Sequence, residues 1–359
     1  MFATLFLISA VLVLISLPGI SAVFRRAGIV DAPGHRKIHV SITPKSGGAA
    51  VWFVTLLLLP FCAPSLSAET GAALVAVTLF FLLGLLNDYR EQGPWLRYAC
   101  ELLIVVGFGL YAGYKIHELG DLLGFGPITL GVFAYPFTAF AVASLTNGFN
   151  MLDGVDGLLA SIALPMVLVL IVIARYAGGG ADVIGILSVF AGGLAGFAVH
   201  NMQLLGRLSA RTFLGDAGSL LIGAAVCYAL LGFSQLGEPL IRPIDAVWIA
   251  GLPIMETVNV VITRGFRGQS IFTAGKDHVH HLLLDKGWSH VKIALGLGAL
   301  SAIFALTGLM GALMQWNEAG LCAGFVLCAV SYRMTLRTMW KQAISASDEP
   351  GQLIVTKGQ

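Results

Sequence analysis

The sequence has 359 residues, of which 57% are hydrophobic and only 11% are charged, and its formal net charge is +2. Soluble domains carry roughly 25% charged residues, so a chain of this composition cannot cover a water-facing surface of its own size. The composition therefore excludes an ordinary soluble domain and indicates an integral membrane protein, for which no nucleic-acid partner is expected.

Hydrophobic runs follow one another along nearly the whole chain, and about 20 apolar residues suffice to cross the bilayer as a helix. Backbone groups in lipid must be bonded within their own segment, so these runs predict helices. We predict an all-α, polytopic membrane domain over residues 1–342 and a disordered cytoplasmic tail over residues 343–359. The eleven predicted spans are 2–24, 47–66, 70–86, 98–115, 129–147, 157–175, 183–200, 213–234, 244–263, 292–314 and 319–335.

The distribution of basic residues predicts which way the chain faces. The first span has no basic residue before it and is followed by Arg25 and Arg26, which indicates an uncleaved helix with its N-terminus outside. Eighteen of the 21 Lys and Arg residues then fall in cytoplasmic segments, and only Lys115, Arg175 and Arg242 fall outside. We therefore predict a multi-pass protein of the inner (cytoplasmic) membrane with a cytoplasmic C-terminus.

The third span ends in Asp88, and Arg97 opens the next one. The basic loop that follows the first span carries Arg36 and Lys37. Guanidinium groups are suited to binding phosphate, and both segments are predicted to be cytoplasmic. Either segment also fits an ordinary positively charged loop end.

The densest polar motif is N-x-x-N-M-x-D-G-x-D-G-L, in which Asn147, Asn150, Asp153 and Asp156 recur at every third position. On an ideal helix these four side chains would spread over roughly half the circumference. We therefore expect the glycines of the motif to interrupt or end a helix. Carboxylates and carboxamides at a membrane boundary are suited to binding Mg²⁺, phosphates or sugar hydroxyls.

Two later motifs are predicted to lie at the same face. F-x-G-D-A-G-S places Asp216 between two glycines at the start of the eighth span, which fits either a metal–phosphate site or an ordinary helix cap. H-x-H-H contains His278, His280 and His281, which fit either zinc ligation or hydrogen bonding to a diphosphate. Polar groups at membrane helices are costly and usually functional, so their convergence predicts an active site at the cytoplasmic boundary.

These motifs resemble those of the polyprenyl-phosphate N-acetylhexosamine-1-phosphate transferases of glycosyltransferase family 4, and they follow the same order along the chain. A further match is G-x-x-D-x-P-x-x-R-K-x-H from Gly28 to His39, and the resemblance covers about residues 20–335. It implies a helical bundle with a cytoplasmic cleft open to the bilayer. It also implies transfer of a sugar 1-phosphate from a UDP-N-acetylhexosamine to polyprenyl (undecaprenyl) phosphate, releasing UMP and initiating a lipid-linked cell-surface glycan.

The resemblance also implies the roles of individual residues. The H-x-H-H form is more similar to the N-acetylglucosamine group of the family. Mg²⁺, for which Mn²⁺ can substitute, is expected at Asp216 and Asn150, and Phe213 matches the position that stacks on uracil. The implied catalytic residues are Asp88, Asp153, Asp156 and Asp216, and the implied substrate-binding residues are Asn147, Asn150, Phe213, His278, His280, His281, Arg36, Lys37 and Arg97.

Three positions depart from the family pattern. Asn87-Asp88 stands where the family usually has paired Asp, Glu256 where Asp is usual, and Gly275 where an Asp precedes the histidines. A carboxamide oxygen ligates Mg²⁺ but takes up no proton at neutral pH. The Asn87 and Gly275 departures leave a non-catalytic family member as one alternative.

A secondary transporter or lipid-linked-sugar flippase is the alternative from another class. Transporters also have many spans, but their key polar groups cluster near the midplane of the bilayer. Here those groups are predicted at one interface, which favours the enzyme. The exact sugar, the polyprenol length, the downstream polymer and a homo-oligomeric state remain open.

Overall fold

The computed structural model describes residues 1–32, 42–202, 210–270, 275 and 277–347. Residues 343–347 are described by their backbone alone. A short antiparallel pair, β1 (Val30–Asp31) with β2 (Thr43–Pro44), is the only sheet within these ranges. The predicted all-α class is confirmed. The helices are α1 Phe2–Arg26, α2 Gly47–Cys62, α3 Ala68–Tyr89, α4 Pro94–Ala112, α5 Ala134–Leu152, α6 Leu158–Tyr176, α7 Ala181–Asn201, α8 Gly215–Gln235, α9 Pro243–Ile249, α10 Gly251–Phe266, α11 Val279–Asp285, α12 His290–Met314 and α13 Glu318–Ser347.

The described helices follow the predicted spans in order along the chain. Nine of them are long and apolar enough to cross a membrane, or ten if α9 and α10 together form one span. The remaining predicted span corresponds to α2, which is apolar but has only 16 residues. A polytopic helical membrane protein is therefore confirmed, and a count of eleven spans stays a prediction.

The ninth predicted span, 244–263, is not one straight helix. It is broken between α9 and α10, whose axes differ by 82°. Pro253 lies just after the break, and a proline ring clashes with the carbonyl four residues earlier, here that of Ile249. The break is therefore encoded locally by Pro253 together with Gly251.

Two other helices extend beyond the predicted spans. The fifth span was expected to end at residue 147, but α5 continues to Leu152 because Asn147 and Asn150 form its last turns instead of a loop. The last span was expected to end at residue 335, but α13 runs to Ser347. The expected domain boundary at residue 342 therefore falls inside a helix, and the rest of the predicted tail, 348–359, lies outside the described residues.

Helix α8 is the centre of the bundle and packs against α2, α3, α5 and α6. Small residues allow this close packing, as in many membrane bundles. Gly48 of α2 faces Gly218 of α8 so closely that a Cβ on either would overlap the other backbone. The polar start of α8 is thereby held at a fixed depth between its neighbours.

The bundle has two ends, which the alternating helices bring together from distant parts of the chain. At one end, here called the site end, Asp88 near the end of α3 contacts Asp216 at the start of α8. At the other, here called the far end, the Tyr114 hydroxyl donates to the carbonyl of Glu69, 3.2 Å away. The predicted convergence of the polar motifs at one end is therefore confirmed for the motifs that the structure describes.

Candidate active site

The first turn of α8 is capped by a side chain from α3. The Asp88 carboxylate accepts hydrogen bonds from the backbone N–H groups of Asp216, at 3.1 Å, and Ala217, at 2.9 Å. These are two of the amides that a helix start leaves without an intrahelical partner. Gly215 has φ +70°, and a Cβ there would overlap the Asp88 carboxylate. The loop before α8 therefore needs glycine, and the cap fixes the position of Asp216.

The Asp216 carboxylate is the hub of the site, and 28% of its side chain is exposed. Its Oδ1 accepts from Asn150 Nδ2 at 2.9 Å, and its Oδ2 accepts from Arg97 Nη1 at 3.1 Å. Asn87 Nδ2 also donates to Oδ2, while Asn87 Oδ1 accepts from the N–H of Gln92 at 2.7 Å. The carboxamide at position 87 is thus bonded at both ends, and an ionised carboxylate there could not make the contact with Asp216.

Arg97 links this hub to a buried acid. Its Nη2 donates to Asn147 Oδ1 at 3.0 Å, and its Nε lies 3.6 Å from Glu101 Oε1. Asn147 Nδ2 in turn donates to the Glu101 carboxylate, which is fully buried. A buried charge is stable only with such partners. Sequence reasoning missed Glu101, although its spacing of four residues from Arg97 on one helix was an available signal.

The loop between α5 and α6 carries Asp153 and Asp156, and the predicted interruption at the glycines is confirmed. Gly157 has φ +79° and its N–H donates to Asn201 Oδ1 at 2.5 Å. Asp156 Oδ2 lies 3.3 Å from Nδ1 of His290, the first residue of α12. His290 was also missed, because nothing in its local sequence marks it.

Asp153 lies in a strongly negative environment. Burial, followed by the charges of Asp216, Asp88 and Asp156, raises the pKa of Asp153 to about 8. The carboxyl group of Asp153 therefore lies within the electrostatic influence of the other three predicted catalytic carboxylates. Such an excess of negative charge is suited to a cation or to a shared proton.

The histidine motif packs against the glycine-rich loop. A Cβ on Gly154 would overlap the His280 ring, so the glycine is required by this close approach. Burial, then the neighbouring His281 and His278, lower the pKa of His280 well below its ordinary value. His280 is therefore a neutral imidazole near pH 7, and its Nδ1 has no hydrogen-bond partner among the described residues.

Glu256 holds the histidine motif in place. Its carboxylate accepts from the N–H of Val279 at 2.9 Å and from the Tyr332 hydroxyl at 2.7 Å, and it lies 3.4 Å from His278 Nδ1. Tyr332 belongs to α13, so Glu256 joins three elements. Glu256 is therefore a positioning residue, and its role was not apparent from the sequence.

Phe213 and Lys45 belong to two segments that are hydrogen-bonded to each other. The Phe213 N–H donates to the Pro44 carbonyl, and the Phe213 carbonyl accepts from Gly47, each at 2.9 Å. Lys45 Nζ lies 3.1 Å from Asp88 Oδ1. Burial alone would lower the pKa of Lys45, but Asp88 and Asp216 raise it on balance, so Lys45 is a cation. Lys45 was not among the predicted site residues, and Arg36 and Lys37 lie outside the described residues.

Three acids or histidines placed to share a metal would support a preformed metal site. Across the described part of the chain, which includes His278, His280 and His281, no such group of His, Cys, Asp and Glu occurs. The zinc alternative for the histidine motif therefore gains no support. Asp216 and Asn150 do lie together, and their oxygen atoms are of the kind that Mg²⁺ prefers.

The chain is similar in sequence to known sugar 1-phosphate transferases. Residues 71–234 match the family model described as Glycosyl transferase family 4. Undecaprenyl-phosphate alpha-N-acetylglucosaminyl 1-phosphate transferases are 28% identical in Yersinia pestis and 29% identical in Escherichia coli K12, each over 89% of this chain and 87% of the relative. A Bacillus subtilis protein named as a probable undecaprenyl-phosphate N-acetylglucosaminyl 1-phosphate transferase is 28% identical over 85% of this chain and 83% of its own length.

Proposed function

Because the chain belongs to glycosyl transferase family 4, we propose that it transfers N-acetylglucosamine 1-phosphate from UDP-N-acetylglucosamine to undecaprenyl phosphate. The observation that carries the proposal is the set of contacts on Asp216 from Arg97, Asn87 and Asn150, beside the carboxylate loop of Asp153. It supplies cations, amides and acids within one polar patch at the end of the bundle. The proposed transfer would be the first step in making a lipid-linked cell-surface glycan.

The proposed reaction forms one phosphorus–oxygen bond and breaks another. An ionised oxygen of the lipid phosphate attacks the β-phosphorus of the UDP-sugar, and the bond from that phosphorus to the bridging oxygen breaks. UMP leaves with the bridging oxygen, and the product is a polyprenyl diphosphate sugar. Positioning and charge stabilisation contribute most of the catalysis in phosphoryl transfer, so a protein base is not required for a phosphate that is already ionised.

Two cations of the site are suited to the anionic groups. Arg97 contacts Asp216 through Nη1, and Lys45 pairs with Asp88, which caps the start of α8. We propose that the diphosphate approaches Arg97 and that the lipid phosphate enters from the bilayer near Asp88 and Lys45. Guanidinium and ammonium groups both stabilise the charge of phosphoryl oxygens.

We propose that Mg²⁺ binds at Asp216 with Asn150, and that Mn²⁺ can replace it. The residues fit the ion because they have oxygen ligands and because a divalent cation would relieve the carboxylate repulsion that, after burial, raises the pKa of Asp153. A bound Mg²⁺ supplies neutralisation of the charge that develops on the diphosphate. Asp88 and Asp156 have protein partners of their own and are proposed to hold the site together.

The remaining predicted residues are proposed to bind the donor. His280, a neutral imidazole, is proposed to donate a hydrogen bond to the diphosphate, with His278 oriented by Glu256 and His281 beside it. Phe213 is proposed to stack on uracil. Asn147 is proposed to hold the Arg97 guanidinium group in position through their hydrogen bond. The site is proposed to lie on the cytoplasmic side of the inner membrane, where UDP-sugars are made.

An assay of several radiolabelled UDP-sugars with undecaprenyl phosphate tests the proposal. The purified protein should release UMP only when both substrates and Mg²⁺ are present. A secondary transporter or flippase would instead move label across a sealed membrane without releasing UMP. A folded protein that releases UMP from none of the UDP-sugars would overturn the enzyme and leave the non-catalytic alternative.

A further inference from the structure

A second cavity lies at the far end of the bundle, away from the site just described. It is enclosed by α2, α3, α7 and α8, and it has a volume of about 580 Å³. Its walls are mostly aliphatic and aromatic, for example Leu74, Phe190 and Phe233. This volume lies within the range of about 300–1,000 Å³ of small-molecule sites.

The cavity is deep. Its mouth includes Gly180 before α7 and Gly237 after α8, and its inner wall includes Trp52 of α2. Trp52 lies ten residues before Cys62, the last residue of α2. At about 1.5 Å per residue the cavity reaches about 15 Å into the bundle from the far end. Its shape therefore fits a chain-like apolar group better than a compact polar one.

Two buried polar atoms in the cavity walls lack partners. The indole N–H of Trp52 and the hydroxyl of Tyr228 have no hydrogen-bond partner among the described residues, and the two residues are only 3% and 2% exposed. Tyr and Trp normally satisfy these groups when buried, and an unsatisfied buried donor is costly. Trp52 and Tyr228 are therefore tightly packed side chains of the inner wall, and the fluorescence of Trp52 can report on an occupant.

The mouth of the cavity is acidic. Glu69 at the start of α3 and Glu238 after α8 are both exposed there. Within the described residues, the lining contains these two carboxylates and no Lys, Arg or His. The charge at the mouth therefore favours a head group that presents a cation and disfavours one with a net negative charge.

We infer that this cavity binds one acyl chain of a phospholipid whose head group carries an ammonium, such as phosphatidylethanolamine. The acyl chain packs against the apolar walls as far as Trp52, and the ammonium lies near Glu69 and Glu238 at the mouth. The inference does not depend on the reaction proposed for the site end. It assigns a lipid site to the part of the bundle that the reaction does not use.

Fluorescence quenching by brominated lipids tests this inference with the full chain in nanodiscs. The contribution of Trp52 is the difference between the wild type and Trp52→Phe. Phosphatidylethanolamine with brominated acyl chains should quench this contribution about threefold more than brominated phosphatidylglycerol at the same mole fraction, the size expected of exposed charge interactions. Combining Glu69→Gln with Glu238→Gln should remove the preference.

Trp248 is the matched control, because it is 7% exposed and its indole N–H donates to the Leu321 carbonyl at 3.1 Å. Its contribution, taken from Trp248→Phe, should not depend on the brominated head group. A Trp52 contribution that neither lipid quenches overturns the inference, as does equal or stronger quenching by phosphatidylglycerol. If Trp52→Phe does not fold, photo-crosslinking the wild type with an acyl-diazirine phosphatidylethanolamine decides the question: labelled Trp52 or Tyr228 peptides support the site, and their absence overturns it.

Discussion

The Asp88 carboxylate caps the helix that Asp216 begins, although the two residues are 128 positions apart in the chain. One aspartate therefore sets the position of the other. Asp88 also pairs with Lys45, so its described contacts join the start of α8 to the segment before α2. Its first role in this structure is to position the site, and a direct catalytic role stays a prediction.

Asp88→Asn should destabilise the protein, because a side-chain NH₂ would face backbone N–H groups that need acceptors. We expect a loss of about 1–3 kcal/mol, the cost of an unsatisfied buried group, seen as a lower midpoint of thermal unfolding in detergent. Glu91→Gln is the control, since Glu91 is an exposed acid three residues away. An unchanged midpoint for Asp88→Asn would show that the cap contributes nothing.

Asn87→Asp should change the dependence on Mg²⁺ more than the maximal rate. The new carboxylate would lose the hydrogen bond to Asp216 and repel it, so activity should fall at limiting Mg²⁺ and recover to within about tenfold at saturation. UMP release over a Mg²⁺ titration measures this, with the near-isosteric Asn87→Leu separating loss of the hydrogen bond from added charge. An active Asn87→Asp beside a silent wild type would instead identify a degenerate family member.

The raised pKa of Asp153 predicts how stability depends on pH. Its ordinary value is 3.8 and its value in the folded protein is about 8. Between these values the folded protein holds a proton that the unfolded chain has lost, so the free energy of unfolding falls as the pH rises from about 4 to about 8.

Asp153→Asn should therefore lose less stability than the wild type between pH 5 and about pH 8 without added divalent cation. The midpoint of thermal unfolding, measured across that range, reports the difference. Asp285→Asn changes an exposed acid at the end of α11 and should follow the wild type. Parallel curves for the wild type and Asp153→Asn would contradict the raised pKa.

The alternation of helices predicts opposite sides for two positions of the chain. A reporter fused after Lys341 should be cytoplasmic, and one inserted between Cys62 and Glu69 should be external, because the basic residues favour the site end as the cytoplasmic one. Accessibility to a membrane-impermeant thiol reagent measures both. Two reporters on the same side would contradict the alternating path.

The sequence was sufficient to predict the helices, because long apolar runs have few other structures in lipid. The alternation of those helices then predicted the convergence of the motifs. It did not predict the break at Gly251 and Pro253, since membrane helices also tolerate glycine and proline without breaking. Glu101, His290 and Lys45 were also missed as site residues. The roles of His290 and Lys45 depend on which helices are neighbours, and no local pattern carries that information. Glu101 did have a local signal, its spacing of four residues from Arg97 on one helix.

The most direct test of the central proposal follows the β-phosphate of the donor. UDP-N-acetylglucosamine labelled with ³²P at the β-phosphate is incubated with the purified protein, undecaprenyl phosphate and Mg²⁺. The proposal predicts that the label enters the lipid fraction and that unlabelled UMP is released in equal amount, and that Asp216→Asn, folded like the wild type, loses most of this activity. Labelled UDP released beside an unlabelled lipid, or no lipid-linked label from a folded wild type, would contradict it.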